Sequence, residues 1–238
     1  MKPEPDGPPA AGYRTAEPDP AMLERARLLL DDARVRAAVE HVRATDERTL
    51  RDQCELTEIP APPFGEASRA ERMGELMAAA GLEGVERDRE GNVLGRLPGE
   101  DVGRPLVVSA HLDTVFPPGT DVRIRRDGDR LLGPGISDDG RGLAVLLAVA
   151  RALGEVGIRP TDPLLFVATV GEEGPGDLRG ARHLFREEGP GRTARGFVSL
   201  DGAGSRRVVV GGLGSRRYRV VVRGPGGHSW VDWGRPNP

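Results

Sequence analysis

From Pro20 to Leu56 the apolar residues Met22, Leu23, Leu29, Leu30, Val35, Val39 and Val42 recur among charged ones at helical spacing. Asp19 before Pro20 supplies an N-cap and a first-turn proline. IPAPPFG (59–65) cannot continue a helix and predicts a loop. Helical spacing returns over 65–84 through Met73, Leu76, Met77 and Ala80, and stops at Gly81. Two short strands are expected at Val85–Asp88 and Asn92–Leu97, across the turn REGN. Pro105–Leu112 reads as a central strand, and Val122–Arg126 with Arg130–Leu132 as a hairpin about Asp127-Gly128. GLAVLLAVARAL (142–153) is apolar nearly all round, so it predicts a helix lying against a sheet and covered.

PLLFVATV (163–170) is a continuous apolar run, the signature of a strand buried on both faces. A loop and a helix follow over 171–185, and Phe197–Leu200 predicts a further strand. Strands alternating with helices argue an α/β three-layer αβα domain with a largely parallel sheet. Beyond Gly202 the texture changes: Val208–Val210 and Tyr218–Val222 read as strands, and GPGGHSWVDWGRPNP (224–238) brings no closing element. The first twenty residues are Pro-rich and lack the apolar core of a signal peptide, so 1–19 reads as a flexible leader.

Composition narrows the function class. The chain has 238 residues and a net charge of −3. Nothing in that balance points to nucleic acid or an anionic membrane as a partner. Lys2 is the only lysine, and the arginines are scattered among acids. No apolar stretch approaches the length of a membrane span. The single Cys54 excludes an internal disulfide framework, fits a reducing compartment such as the cytoplasm, and reads as a small buried residue.

Chemistry-bearing residues cluster where the strands end. The run LVVSAHLD closes on His111 and Asp113, two positions apart and therefore on one side of the strand. A carboxylate beside a neutral imidazole commonly orients that ring toward a divalent metal. Asp138 and Asp139 stand in the glycine-rich turn before the buried helix. Glu172 and Glu173 follow the strand at 163–170, and Asp201 follows the strand at 197–200. One acidic pair in a loop is usually only solvated. Four such groups after four β-runs, one holding a histidine, suit Zn²⁺ or a similar divalent ion, and several carboxylates suit a two-metal site. The other histidines carry less: His41 reads as a helix-surface or helix-packing residue, and His183 as a surface residue. A phosphate loop and a serine-nucleophile elbow are both absent.

In this order, HLD with TVFPPG, GPGISDDGRG, GEEGPGDLRGA and DG resemble the co-catalytic zinc hydrolases that include tripeptidase (peptidase T), glutamate carboxypeptidase, aminoacylase, acetylornithine deacetylase and succinyl-diaminopimelate desuccinylase. The likeness covers roughly residues 45–238, and its wording is nearest the tripeptidase-like branch. It implies the roles that follow. His111 and Asp201 hold one metal, Asp113 orients His111, and Asp138 bridges two metals. Glu172 is the general base, Glu173 holds the second metal, and a cis peptide joins Asp138 to Asp139. His228, in GPGGHS, would lie in an inserted α+β lid and help bind substrate at a partner subunit's site.

Domain limits follow: 20–211 for the catalytic part and 212–238 for the start of the lid. The implied reaction is hydrolysis of an amide bond in a small peptide or N-acyl amino acid, with two Zn²⁺ per complete site, Co²⁺ or Mn²⁺ being acceptable replacements. The family's later lid and last histidine ligand have no counterpart before Pro238. The sequence therefore reads as the N-terminal fragment of a longer enzyme, a homodimer being an option for the full-length protein. A non-catalytic or degraded metal-binding relative is the alternative.

Overall fold

The computed structural model describes residues 19–202, 208–211, 214, 218–228 and 230–234. The chain divides into two units, Met1–Ala203 and Gly204–Pro238. The expected leader lies almost wholly outside the described residues, and Asp19 at its end caps the first helix, accepting from the N–H of Ala21.

The expected helical stretch is three helices, α1 (Pro20–Asp31), α2 (Ala33–Ala44) and α3 (Asp46–Thr57). Short polar side chains at the joints compete for the backbone and end each run. Asp32 is extended and its carboxylate accepts from the N–H groups of Arg34 and Val35. Thr45 donates its hydroxyl to the carbonyl of His41. α4 (Ala67–Ala79) ends where expected, with Gly81 at φ +85°.

The first unit is built on a five-stranded sheet ordered β1-β2-β6-β3-β7. β1 (Glu83–Arg87) and β2 (Val93–Leu97) are antiparallel, and β2 is antiparallel to β6 (Leu164–Thr169). β6, β3 (Leu106–His111) and β7 (Gly196–Ser199) run parallel and carry the site. A separate hairpin pairs β4 (Arg125–Asp127) with β5 (Arg130–Leu132) around Gly128-Asp129, shorter than its sequence pattern suggested.

Period-two alternation divides the core between two faces. Val93, Ala110, Phe166 and Ala168 pack against Leu56 of α3, Met73 and Met77 of α4, and Leu143, Leu146 and Leu147 of α5 (Gly140–Glu155). Leu94, Val107, Leu165 and Val167 meet Leu184 of α6 (Arg179–Leu184) on the opposite face. The result is three layers, with β6 buried on both sides as its apolar run implied.

Three expectations need correction. His183 is not a surface residue: it is buried on α6, with Nε2 3.7 Å from the Asp88 carboxylate, because α6 turns that face toward the sheet. Cys54 is half-buried rather than enclosed. Val208–Val210 and Tyr218–Val222 are exposed and form no strand among the described residues. Alternation alone does not make a strand; a ladder partner does.

Candidate metal centre

The parallel strands β3, β6 and β7 deliver the chemistry from their carboxyl ends, where open α/β sheets hold their sites. His111 closes β3 and is almost fully buried. Its Nδ1 lies 2.9 Å from the backbone carbonyl of Asp113 and 3.7 Å from that residue's carboxylate. A carbonyl can only accept, so Nδ1 carries the hydrogen, and in the neutral ring Nε2 presents its lone pair. Nε2 faces Asp138 Oδ1 at 2.9 Å and Asp201 Oδ1 at 3.9 Å. An acceptor nitrogen facing two carboxylates needs a cation between them, either a proton or a metal ion.

Electrostatics agree with that geometry. Burial pulls the imidazole pKa down, yet Asp113, Asp139 and Asp201 outweigh it and raise the value to about 10. A site that binds a proton so firmly also favours a divalent ion, and the two compete for the same lone pair.

Two overlapping groups have ligand atoms mutually close enough for one ion: His111, Asp138 and Asp201, and His111, Glu172 and Glu173. An imidazole with hard carboxylates fits zinc or a similar divalent cation. The four residues expected as ligands, His111, Asp138, Glu173 and Asp201, and the expected base Glu172 all fall within these two groups. His228 belongs to the second unit, where its N–H donates to Asp232 Oδ2 and its Nδ1 accepts from the N–H of Trp230.

Asp113 is fully buried, and its carboxylate is occupied elsewhere than at the imidazole. Oδ1 accepts from the N–H of Glu172 at 2.9 Å and Oδ2 from the N–H of Glu173 at 2.8 Å. Burial opposes its ionisation, but His111 and those two N–H groups hold its carboxyl below the usual range. Burial raises the carboxyls of Glu172 and Glu173.

The Asp138–Asp139 peptide is cis, as the family resemblance implies, and the two aspartates serve different ends. Asp138 is half exposed and faces the imidazole. Asp139 turns inward, 1% exposed, accepting from the N–H of His111 at 2.8 Å and capping α5 through the N–H of Gly142 at 3.0 Å. Burial pushes its carboxyl up to about 8. Gly142 has to be glycine here, since a Cβ would stand 2.3 Å from the carbonyl of Leu200. That close approach brings the α5 start against the strand end that precedes Asp201.

Three supporting residues had no signal in the sequence. Arg69 of α4, 1% exposed, donates to the carbonyls of Thr57, Ile59 and Leu112. Asn92, fully buried, accepts from Val170 and donates to Asp88 and Gly180, tying β2 to the end of β6. Glu66, 4% exposed, accepts from the N–H of Gly171 and from Arg179.

Residues 92–212, which carry every candidate ligand of this centre, match peptidase family M28. The chain belongs to that family. Among curated proteins it is similar to carboxypeptidase G2 of Pseudomonas sp. (strain RS-16), 31% identical over 142 residues, which are 58% of this chain and 33% of the relative. Among solved structures it resembles the aminopeptidase PepT from Bacillus cereus ATCC 10987, with a TM-score of 0.55 and 29% identity over 66% of this chain and 44% of that one. Human carnosine dipeptidase 1 shares the fold, with a TM-score of 0.58 at 13% identity over 70% of this chain and 41% of that one. The chain spans about a third of the curated relative and less than half of PepT. Both likenesses agree with the co-catalytic zinc peptidase group that the sequence motifs resemble. No helix among the described residues is long and apolar enough to cross a membrane.

Proposed function

We propose that this chain supplies the catalytic domain of a two-zinc hydrolase acting on an amide bond in a small peptide or N-acyl amino acid. The observation that carries the reading is the lone pair of His111 Nε2, aimed at Asp138 and Asp201 beside the two glutamates. In this reading His111, Asp138 and Asp201 would hold one zinc, and Asp138 with Glu173 the other. Bound zinc lowers the pKa of a coordinated water to about 7 and polarises a carbonyl. The Glu172 carboxylate would take one proton of the water as its oxygen bonds to the amide carbon, and would return that proton to the nitrogen as the C–N bond breaks. Its burial-raised pKa suits a group that must both accept and return a proton. Asp113 fixes the glutamates through their backbone and His111 through its carbonyl. His228 is assigned, from the resemblance alone, to substrate binding across a homodimer. The cysteine-poor composition supports a cytoplasmic address.

Zinc titration by calorimetry beside a panel of dipeptides, tripeptides and N-acyl amino acids tests the reading. In this reading the first zinc would have three protein ligands and the second two, where zinc normally takes at least three. One tight equivalent is expected for this 238-residue chain, with no turnover above background. Two tight equivalents with turnover would mean that a residue outside this assignment completes the ligands of the second metal. Absence of any tight zinc would overturn the site. The other reading, a metal-holding chain without catalysis, draws on the same ligand count and predicts that turnover stays absent even in a longer chain.

A further inference from the structure

We propose that Glu66 and Arg179 are positioning residues for Glu172 and Glu173, a largely buried ion pair outside the ligand cluster that sets where the two glutamates stand. The inference rests on the roles proposed above for those glutamates. Its basis is the backbone at the exit of β6, where successive polar groups are all engaged. Val170 donates its N–H to Asn92 Oδ1 at 3.0 Å, and its carbonyl accepts from the N–H of Gly180 at 3.0 Å. Gly171 donates to Glu66 Oε1 at 3.1 Å, and its carbonyl accepts from the N–H of Arg179 at 3.2 Å. Glu172 and Glu173 then donate to the two oxygens of Asp113. Three consecutive N–H groups therefore point at carboxylates from two separate elements. Such charge-assisted bonds are about twice as strong as neutral ones.

Glu66 occupies the N-cap position of α4, yet its side chain makes no capping bond. The carboxylate is spent on the glutamate turn instead. Arg179 Nη2 meets the same Oε1 at 2.6 Å, while Nη1 reaches the Glu90 carbonyl at 2.9 Å and its carboxylate at 3.3 Å. Arg179 Nε is buried with no hydrogen-bond partner. The guanidinium is thus oriented for Glu66 and Glu90 at the expense of its own complete bonding. It also presses on the turn: Gly171 stands at φ +60°, and a Cβ there would lie 2.6 Å from Arg179 Nε. Without the Glu66 charge, Gly171 would lose its charged acceptor, and the two glutamates would hang from Asp113 alone.

The test is Glu66→Gln, nearly isosteric, with two readouts. Backbone amide exchange at Gly171, Glu172 and Glu173 should quicken about tenfold, the worth of one lost charge-assisted bond, while Phe166–Ala168 of β6 stay as protected as in the wild type. Zinc affinity, measured by competition with a chromophoric chelator, should fall about 10–100-fold, the usual effect of removing an outer partner of a ligand. Arg179→Lys keeps the charge but loses the fork to Glu90, and should give a smaller loss in the same direction. Unchanged zinc affinity in folded Glu66→Gln, or loosening spread evenly over β6, would reduce the pair to a structural tie between α4 and α6 and overturn the proposal. If Glu66→Gln does not fold, Arg179→Lys decides by the same criteria. If the wild-type chain binds no zinc, the reading of the centre fails, and the exchange pattern alone decides whether the pair positions the turn.

Discussion

Replacing Arg69 by methionine would remove the guanidinium that joins the carbonyls of Thr57, Ile59 and Leu112 beside the candidate metal centre. Arg69 is 1% exposed, and its Nε, Nη1 and Nη2 donate to the carbonyls of Thr57, Ile59 and Leu112, with no carboxylate in contact. Burial pulls its pKa down to about 10, while the charge of nearby Asp113 holds it up, so the group is cationic at neutral pH. Methionine fills much of the volume but offers no donor. Each buried carbonyl left without a partner costs about 1–3 kcal/mol, which brackets the loss at about 3–9 kcal/mol for the three. Relief from burying a cation without a touching anion offsets part of this. A net loss of about 3–5 kcal/mol is expected, a large share of the 5–15 kcal/mol typical of a domain. Urea unfolding followed by circular dichroism reads it as a lower midpoint at unchanged slope. A loss below about 1 kcal/mol would refute the idea that these carbonyls depend on Arg69.

Within the glutamate pair, Glu172→Gln should retain zinc and lose most turnover in a chain competent for catalysis, whereas Glu173→Gln should lose affinity for one zinc; equal metal loss in both would refute the division. Asp139→Asn leaves a single oxygen for two N–H groups, those of His111 and Gly142. Thermal melting should show a loss of about 1–3 kcal/mol, the cost of one orphaned buried donor, and an unchanged melting curve would count against the inward role of that carboxylate.

Much of the candidate centre was legible because His111, the two glutamates and Asp201 close or follow strongly patterned strands, while Asp138 stands in the turn before α5. The run 163–170 carried the signature of a doubly buried strand, which placed Glu172 and Glu173 just past its end. The ligand assignments themselves came from motif order and family resemblance. Periodicity could not resolve α1, α2 and α3, since Asp32 and Thr45 interrupt the helix without interrupting the apolar rhythm. Glu66, Arg69 and Arg179 were invisible for a different reason. Each looks like a surface charge in its own helix, and its purpose is defined only by groups far away in sequence, such as Glu66 with Gly171 or Arg69 with Leu112. His183 was misread on the same account, its face on α6 being fixed by tertiary packing.

The parallel pairing of β3 with β6 and β7 also sets the order in which the centre comes into being. Leu106 pairs with Leu164 and with Gly196, so neither contact is local. Parallel strands so far apart close large loops before any contact rewards them, which makes their formation slow. His111 leaves the ribosome well before Asp201, and at about 5–20 residues per second it waits on the order of ten seconds for that ligand. Until Asp201 is made, a nascent chain therefore offers a divalent ion only separated imidazoles and carboxylates, a poor trap. Under the proposed assignment, His111, Asp138 and Asp201 come together only once the third parallel strand has docked, so uptake of an ion there would report the completion of folding rather than direct it.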